Sequence, residues 1–258
     1  MKIRTSTQRS THPLSRKIIV IGLLALVSVS GLARATEADL LVPVSFQGTP
    51  IPEARQNFLA SQRYAILSRE GEPIAFHVRN ASPNKVADII LQDSAGGAVA
   101  DQTVEPGEYD IRFEVPGPGV YFMEYTGENP HWTLTLPEGV SAVLCLEPGE
   151  PMNHSGNFGR RYFYVPKGTT EIRFTVESGH LEYSMEVLDP DGTVMQVIDQ
   201  NQPAKPIPVE AGTDGQVWSF NSKAFAPTFL SFENIPNYLA VSPDALLLPK
   251  DLVEKDGL

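Results

Sequence analysis

Apolar and polar residues alternate with a period of two in several short stretches of the chain. Ile74, Phe76 and Val78 are separated by small or polar residues, and residues 111–115 repeat the pattern. Because side chains along a strand point alternately to its two faces, such a stretch buries one face and exposes the other. Gly- and Pro-containing turn sequences separate these stretches at short intervals. Short strands between such turns indicate a β-sandwich or barrel and not a parallel α/β sheet.

The pattern that begins at Arg63 returns about one hundred residues later. The pairs separated by 98 residues are Arg63 and Arg161, Tyr64 and Tyr162, Ile74 and Ile172, Phe76 and Phe174, and Val78 and Val176. This period is that of a small domain, since solenoid repeats recur every ~20–50 residues. The sequence therefore predicts an all-β protein of two tandem antiparallel β-sandwich domains, Ig-like or jelly-roll-like. Each has about 98 residues, and the two are related by internal duplication.

The same repeat sets the expected domain boundaries. They are a signal peptide at 1–35, an N-terminal arm at 36–62, the first sandwich at 63–148, a linker at 149–160, the second sandwich at 161–250 and a C-terminal tail at 251–258. Within the arm, residues 40–46 are expected to form a strand and residues 52–60 one or two helical turns. The linker is rich in Gly, Pro and small polar residues, and a segment of that length without periodicity is either a connector or a functional loop.

The first 35 residues have the order of a secretory signal. Residues 2–17 hold five basic residues, residues 18–32 are mainly apolar, and 33–35 read Ala-Arg-Ala. The apolar run is shorter than the ~20 residues of a membrane-spanning helix, so cleavage near Ala35 is favoured over an uncleaved anchor. We expect a secreted, periplasmic or cell-surface protein with no stable membrane span after cleavage.

Charge narrows the possible partners. The chain has 20 Lys and Arg against 31 Asp and Glu. The first 35 residues contain six of the basic residues and no acid, which leaves 14 against 31, a formal charge of −17, for residues 36–258. Such an acidic chain repels polyanions, which excludes nucleic acid and anionic lipid as expected partners. A glycan or an envelope protein is the partner class that remains. The single Cys145 cannot form an intramolecular disulfide, and its apolar neighbours predict a packed thiol.

Motifs for the common catalytic mechanisms are missing from the sequence. It contains no Gly-x-Ser-x-Gly, His-Glu-x-x-His, Gly-x-x-x-x-Gly-Lys, Gly-x-Gly-x-x-Gly or Cys-x-x-Cys. The prediction is a non-enzymatic protein without a cofactor. Two alternatives stay open: a secreted glycan-active hydrolase or lyase that uses scattered acids with His131 or His154, and a purely structural envelope protein.

Candidate binding residues cluster near the end of the first unit and in the linker. They are Trp132, His131, His154, Asn157, Arg160 and Arg161. Trp132 fits a buried core position and a stacking face for a sugar ring equally well. Arg160 and Arg161 suit recognition of a carboxylate or an anionic sugar through forked hydrogen bonds. The favoured alternative for both is an inter-domain ion pair with the abundant acids.

The acidic sequence Asp-Pro-Asp-Gly at 189–192 has two interpretations. Asp189 and Asp191 are possible Ca²⁺ ligands, because Ca²⁺ takes carboxylate and carbonyl oxygens. Asp-Gly between two apolar runs is also typical of a hairpin turn, which is the favoured interpretation.

Together, the segments 162–168, 172–176, 189–192 and 217–220 resemble the small β-sandwich accessory modules of secreted bacterial hydrolases, of the pre-peptidase C-terminal-like kind. The resemblance implies a non-catalytic role in adhesion, substrate targeting or stabilisation of a neighbouring domain, and it assigns no site residue. We therefore expect an exported, non-catalytic binding protein of the cell envelope with a glycan or protein ligand.

Overall fold

A computed structural model describes residues 40–46, 48–128, 130–147, 152, 158–177, 183–222 and 229–258. These residues are mainly in antiparallel strands. The strands are β1 Leu41–Pro43, β2 Ala54–Phe58, β3 Gln62–Ser68, β4 Ile74–Asn80, β5 Ala87–Gln92, β6 Ala98–Val104, β7 Gly107–Phe113, β8 Gly119–Gly127, β9 Trp132–Leu136, β10 Ala142–Cys145, β11 Arg160–Val165, β12 Glu171–Ile172, β13 Phe174–Glu177, β14 Ser184–Leu188, β15 Val194–Asp199, β16 Ile207–Pro208, β17 Gln216–Ser222, β18 Phe229–Phe232, β19 Tyr238–Ala240 and β20 Leu247–Pro249. A 3₁₀ turn at Pro243–Ala245 and the helix α1 at Lys250–Asp256 follow near the C-terminus. The predicted all-β class is confirmed.

Ten of these strands form one large sheet. Its order is β15-β14-β17-β11-β19-β10-β3-β8-β5-β6. At its centre β10 pairs antiparallel with β19, with Val143 opposite Ala240. Strands from both sequence repeats therefore belong to the same sheet.

The remaining strands form smaller sheets. One has the order β2-β9-β4-β7, and β12 pairs with β16, β13 with β18 and β1 with β20. In the first of these, Ile74, Phe76 and Val78 are at most 4 % exposed, while His77 and Arg79 on the other face are more accessible. The predicted alternation along this strand is confirmed, because one face packs on the main core and the other meets solvent.

Segment 52–60 is not helical, which corrects the expectation of one or two helical turns. It contains β2, whose residues pair with β9 from Ala54 opposite Leu136 to Phe58 opposite Trp132. Burial alternates along β2, and Phe58 is fully buried. The ladder and the burial of Phe58 outweigh the local helix preference of this stretch.

Arg63 and Arg161, which the 98-residue spacing aligns, lie on opposite faces of the large sheet. Arg63 is half exposed and its guanidinium lies 4.5 Å from the Phe122 ring. Arg161 is only 8 % exposed and shares a face with Phe163 of the main core. A shift of one residue along a strand moves a side chain to the other face. The 98-residue spacing is therefore wrong by one residue at this strand.

Helix α1 occupies most of the segment that the sequence assigned to a tail. Asp256, 2 % exposed, anchors it: the Tyr164 hydroxyl and the Lys167 backbone N–H donate to its Oδ2 at 2.7 and 2.9 Å. Gly257 closes the helix in the left-handed conformation (φ 66°). In the described part of the chain, no helix has the length and apolar character needed to cross a membrane.

Candidate ligand-binding cleft

Trp132 lies in the core and not at a surface. It is fully buried, stacks on Tyr125 with ring centroids 4.0 Å apart, and lies 5.0 Å from the Phe58 ring. Its indole N–H donates to the Ala60 carbonyl at 2.9 Å, which satisfies its polar atom. The interpretation of Trp132 as a stacking face for a sugar is therefore wrong, because neither face of the indole meets solvent.

His131 is exposed at the start of β9. Its backbone N–H donates to the Ser82 hydroxyl at 2.7 Å, and its carbonyl accepts from the Ala81 N–H at 2.7 Å. These hydrogen bonds involve only the backbone of His131. A role of its imidazole in ligand binding therefore stays a prediction. His154 and Asn157 lie outside the described residues.

Arg160 and Arg161, the first two residues of β11, point away from each other. Arg160 is exposed, and its Nε donates to the Ser219 hydroxyl at 3.0 Å. Arg161 points into the protein, and its Nη1 donates to the Arg160 carbonyl at 2.8 Å. Among the ion pairs of the described residues, neither arginine has a carboxylate partner. The expected inter-domain ion pair is thus not formed within that part of the chain.

The Asp189 carboxylate is used in a hairpin turn. Its Oδ1 accepts from the Thr193 N–H at 2.7 Å, and the Gly192 N–H donates to the Asp189 carbonyl at 3.1 Å. Gly192 has a φ of 84°, a conformation that favours glycine. Asp191 is exposed. Within the ranges that the structure describes, no three His, Cys, Asp or Glu side chains are grouped to hold a metal ion. The turn interpretation accounts for this sequence.

A cleft of about 200 Å³ opens at the start of β3. Strands β3 and β8, the end of β10, Met152 and one residue of β18 line it, so both sequence repeats contribute. The lining residues are Ser61, Gln62, Arg63, Glu124, Thr126, Cys145, Leu146, Glu147, Met152 and Leu230. We refer to this as the Arg63 cleft.

Arg63 is the charged centre of the cleft. Its Nε lies 3.5 Å from Oε1 of Glu124, which β3–β8 pairing places directly opposite, and its Nη1 lies 3.8 Å from Oε1 of Glu147. Both separations are long for charge-assisted hydrogen bonds, and partly exposed ion pairs contribute only ~0–1 kcal/mol. The guanidinium is held by Phe122 while its N–H groups can be redirected to a ligand.

The rest of the lining combines hydroxyl groups with apolar side chains. Ser61 and Thr126 offer donors and acceptors, whereas Met152 and Leu230 are at most 3 % exposed and give an apolar floor. Burial raises the pKa of the Cys145 thiol to about 12. At neutral pH Cys145 is therefore a protonated packing residue and not a nucleophile, as its apolar neighbours predicted.

Two polar atoms of β3 and β11 are buried without a hydrogen-bond partner among the described residues. One is Nε of Arg161, which is 8 % exposed and whose guanidinium carbon lies 5.3 Å from the Phe158 ring. The other is the hydroxyl of Tyr64, which is 1 % exposed. Burial lowers the pKa of Arg161 to about 10, and burial raises the pKa of Tyr64 although the nearby Arg161 charge opposes that rise.

Sequence reasoning missed this site. No residue that lines the cleft was among the candidate binding residues, and Arg63, Glu124 and Glu147 in particular were not singled out. Their proximity depends on the pairing of β3 with β8 and β10. An Arg at the first residues of one strand and a Glu in a strand predicted to pair with it would have been the usable signal.

Comparisons of the chain with protein-family models, with curated proteins and with solved structures found no match. The class that can be assigned from the structure is an all-β protein with a large antiparallel sheet.

Proposed function

We propose that this chain is an exported, non-catalytic binding protein of the cell envelope, and that its ligand is a glycan bound in the Arg63 cleft. The observation that carries the proposal is the composition of that cleft. Arg63 supplies donors, Glu124 and Glu147 supply acceptors, and Met152 and Leu230 supply an apolar floor. A sugar ring presents hydroxyl groups around its edge and C–H groups on its face, so this lining complements it.

The size of the cleft favours a ring-sized group over a longer ligand. At about 200 Å³ it is smaller than the ~300–1,000 Å³ of pockets that enclose drug-sized molecules. A protein partner would need an interface on the order of 800 Å² on each side, which a cleft of this size does not supply. One terminal or branching sugar residue is the occupant that fits.

We further propose that the chain arose by duplication of one β-sandwich unit. Outward from the central β10–β19 pair, the large sheet runs β3-β8-β5-β6 on one side and β11-β17-β14-β15 on the other. The last hairpin on each side has the same turn: the Gly96 N–H donates to the Asp93 carbonyl, as the Gly192 N–H does to that of Asp189. A register shift precedes each turn. These correspondences support a common ancestral unit. Because Arg63 and Arg161 lie on opposite faces of the sheet, the equivalent positions of β3 and β11 are 97 residues apart and not 98.

The proposal that the protein is exported rests on its first 35 residues. The basic start, apolar run and Ala-Arg-Ala sequence support cleavage near Ala35 and delivery to the periplasm, the cell surface or the medium. Mass spectrometry of the protein recovered from an expressing bacterium tests this, and the expected N-terminal residue is Thr36. Recovery of an intact Met1 from the cytoplasm alone would contradict export.

A glycan array tests the binding proposal. The wild-type chain is expected to bind a restricted group of glycans, and Arg63→Ala and Glu124→Gln are expected to lose them. The matched control is Arg112→Ala, which removes an exposed arginine paired with Glu114 at 3.2 Å on β7, outside the cleft. Equal binding by all three variants would remove the cleft from the proposal, and the absence of any bound glycan would refute the glycan function.

A further inference from the structure

The charged side chains that line the Arg63 cleft are one arginine and two glutamates. Glu124 lies opposite Arg63 in the β3–β8 ladder, and Glu147 lies two residues beyond the end of β10. The described lining contains no other Asp, Glu, Lys, Arg or His, so its formal charge is −1. It belongs to a chain whose residues 36–258 are already acidic. A cleft of this sign attracts cations and repels anions.

The two carboxylates of the cleft are only loosely paired with the guanidinium of Arg63. Oε1 of Glu124 lies 3.5 Å from its Nε, and Oε1 of Glu147 lies 3.8 Å from its Nη1. An exposed ion pair of the same protein, between Lys85 and Glu128, closes to 2.7 Å. Among the described residues, none donates a hydrogen bond to either carboxylate of the cleft. Both carboxylates therefore keep lone pairs for a ligand.

The position of Arg63 keeps these ion pairs open. Its guanidinium carbon lies 4.5 Å from the centroid of the Phe122 ring, which is a cation–π distance. Its Nε is buried and has no hydrogen-bond partner. A guanidinium held on the ring cannot close on two carboxylates that approach different nitrogen atoms. One negative charge of the cleft therefore stays uncompensated.

The two glutamates lie at the mouth of the cleft, above its apolar floor. The side chains of Glu147 and Glu124 are 53 % and 30 % exposed, whereas Met152 and Leu230 are at most 3 % exposed. A sugar ring whose C–H face lies on this floor turns its edge substituents toward the carboxylates. A positively charged substituent donates charge-assisted hydrogen bonds there, and such bonds are roughly twice as strong as neutral ones.

We propose that the ligand of the Arg63 cleft is a hexosamine residue with a free, protonated amino group. This inference rests on the proposed glycan function and makes it specific for basic sugars. The ammonium group donates to the carboxylates of Glu124 and Glu147, and the hydroxyls of Ser61 and Thr126 contact the ring hydroxyls. An acidic sugar is disfavoured, because its carboxylate would add to the uncompensated negative charge. A lysine side chain presents the same ammonium group but has no ring to cover the floor.

The test uses four probes: methyl β-D-glucosaminide, methyl β-D-glucoside, methyl β-D-glucuronide and N-acetyl-lysine amide. Isothermal titration is performed at about pH 6, where the amino groups of the probes are protonated. The wild type should bind the glucosaminide about tenfold or more tightly than the glucoside, since hydrogen bonds to charged groups are the strong ones. The glucuronide should bind more weakly than the glucoside. The lysine derivative should bind more weakly than the glucosaminide, because it leaves the apolar floor uncovered.

Two substitutions of Glu147 change the charge of the cleft in steps. Glu147→Gln makes the lining neutral at similar size, and should reduce the preference for glucosaminide over glucoside to about twofold or less. Glu147→Lys makes the lining positive, so the glucuronide should then bind more tightly than the glucosaminide. The matched control is Glu114→Lys, which changes the charge of the chain equally at a 77 % exposed side chain outside the cleft and should keep the wild-type order. Circular dichroism establishes that each variant is folded.

Failure of the amino-sugar assignment differs from failure of the glycan function. If the wild type binds glycans but has equal affinity for glucosaminide and glucoside, the assignment is wrong and the glycan function stands. The same holds if Glu114→Lys changes the order as much as Glu147→Lys, since the preference would then come from the charge of the whole chain. If the chain binds no sugar probe and no arrayed glycan, with or without binding of the lysine derivative, both are wrong. A stepwise change in the Glu147 variants, with Glu114→Lys like the wild type, establishes recognition of the amino group.

Discussion

Replacing Arg161 by methionine should make the protein more stable. The guanidinium is charged at neutral pH, yet burial lowers its pKa from 12.5 to about 10. One pKa unit corresponds to about 1.4 kcal/mol, so the charged form is disfavoured in the folded state by on the order of 3 kcal/mol. Because the folded pKa is the lower one, this cost is present at neutral pH and disappears only as the pH rises from about 10 past 12.5.

Methionine has a similar length and fills irregular spaces, so it removes the charge without a large cavity. Exchanging buried ionic groups for well-packed apolar ones has stabilised other proteins by ~1–4 kcal/mol. The hydrogen bond from Nη1 to the Arg160 carbonyl is lost and offsets ~1 kcal/mol of that gain. The expected net gain is ~1–3 kcal/mol, which for a chain of this size raises Tm by roughly 2–4 °C per kcal/mol.

Urea unfolding followed by circular dichroism measures the change. Arg63→Met is the matched control, since Arg63 is partly exposed and its loosely paired charge should change stability by less than ~1 kcal/mol. A decrease in the free energy of unfolding of Arg161→Met by more than ~1 kcal/mol would refute the reasoning. It would mean that the cation is compensated in the folded protein.

Three other predictions follow from single contacts. Trp132→Ala should cost ~3–5 kcal/mol in urea unfolding because it empties a fully buried site, whereas a folded Trp132→Phe variant should bind ligand like the wild type. Backbone N–H groups of Arg69 and Glu70 lower the pKa of Glu72 to about 2. Its stabilising effect should be complete above pH 4.5 and fall as the pH drops through 2, measured as the difference in unfolding free energy between wild type and Glu72→Gln. Asp256→Ala should cost ~1–3 kcal/mol and speed amide exchange in α1, because it removes the anchoring carboxylate.

Each of these predictions has a control or an outcome that would contradict it. For Trp132→Phe, lost binding in a folded variant would show that the indole influences the cleft. For Glu72, a titration midpoint near 4.5 by NMR would contradict the assigned hydrogen bonds. Asp251→Ala, on an exposed position of the same helix, should leave amide exchange near that of the wild type. Equal effects of the two aspartate substitutions would contradict the anchoring role of Asp256.

The alternation of apolar and polar residues along the chain was sufficient to predict the strands that bury one face and expose the other to solvent. At Ile74, Phe76 and Val78 the period-two pattern matched the observed burial, because solvent on one side demands polar residues there. It failed for β2, where Ala, Arg and Gln favour a helix locally and only the pairing with β9 selects a strand. Local helix or strand propensity carries no information about a pairing strand that lies far away in the sequence.

The candidate site was less predictable than the fold. In β11 both faces are covered by apolar groups, so the sequence around Arg161 does not show which face the arginine takes. Trp132 has the same appearance in sequence whether it packs in a core or stacks on a ligand. The Arg63 cleft depends on contacts between strands, and a single sequence without paired positions does not specify them. What could be recognised was that arginine is scarce in an acidic chain and that two arginines, Arg160 and Arg161, are adjacent at the start of the second repeat.

The pairing of β1 with β20 places Leu41 opposite Pro249, so one of the first described strands is completed by one of the last. A chain that emerges amino-end first, from a ribosome or through a translocation pore, cannot close this ladder until residues 247–249 have appeared. Until then Leu41 and its neighbours have no strand to pair with. The strand Leu41–Pro43 can therefore be completed only after Leu247–Pro249 has been made, an order that is compatible with the export proposed above.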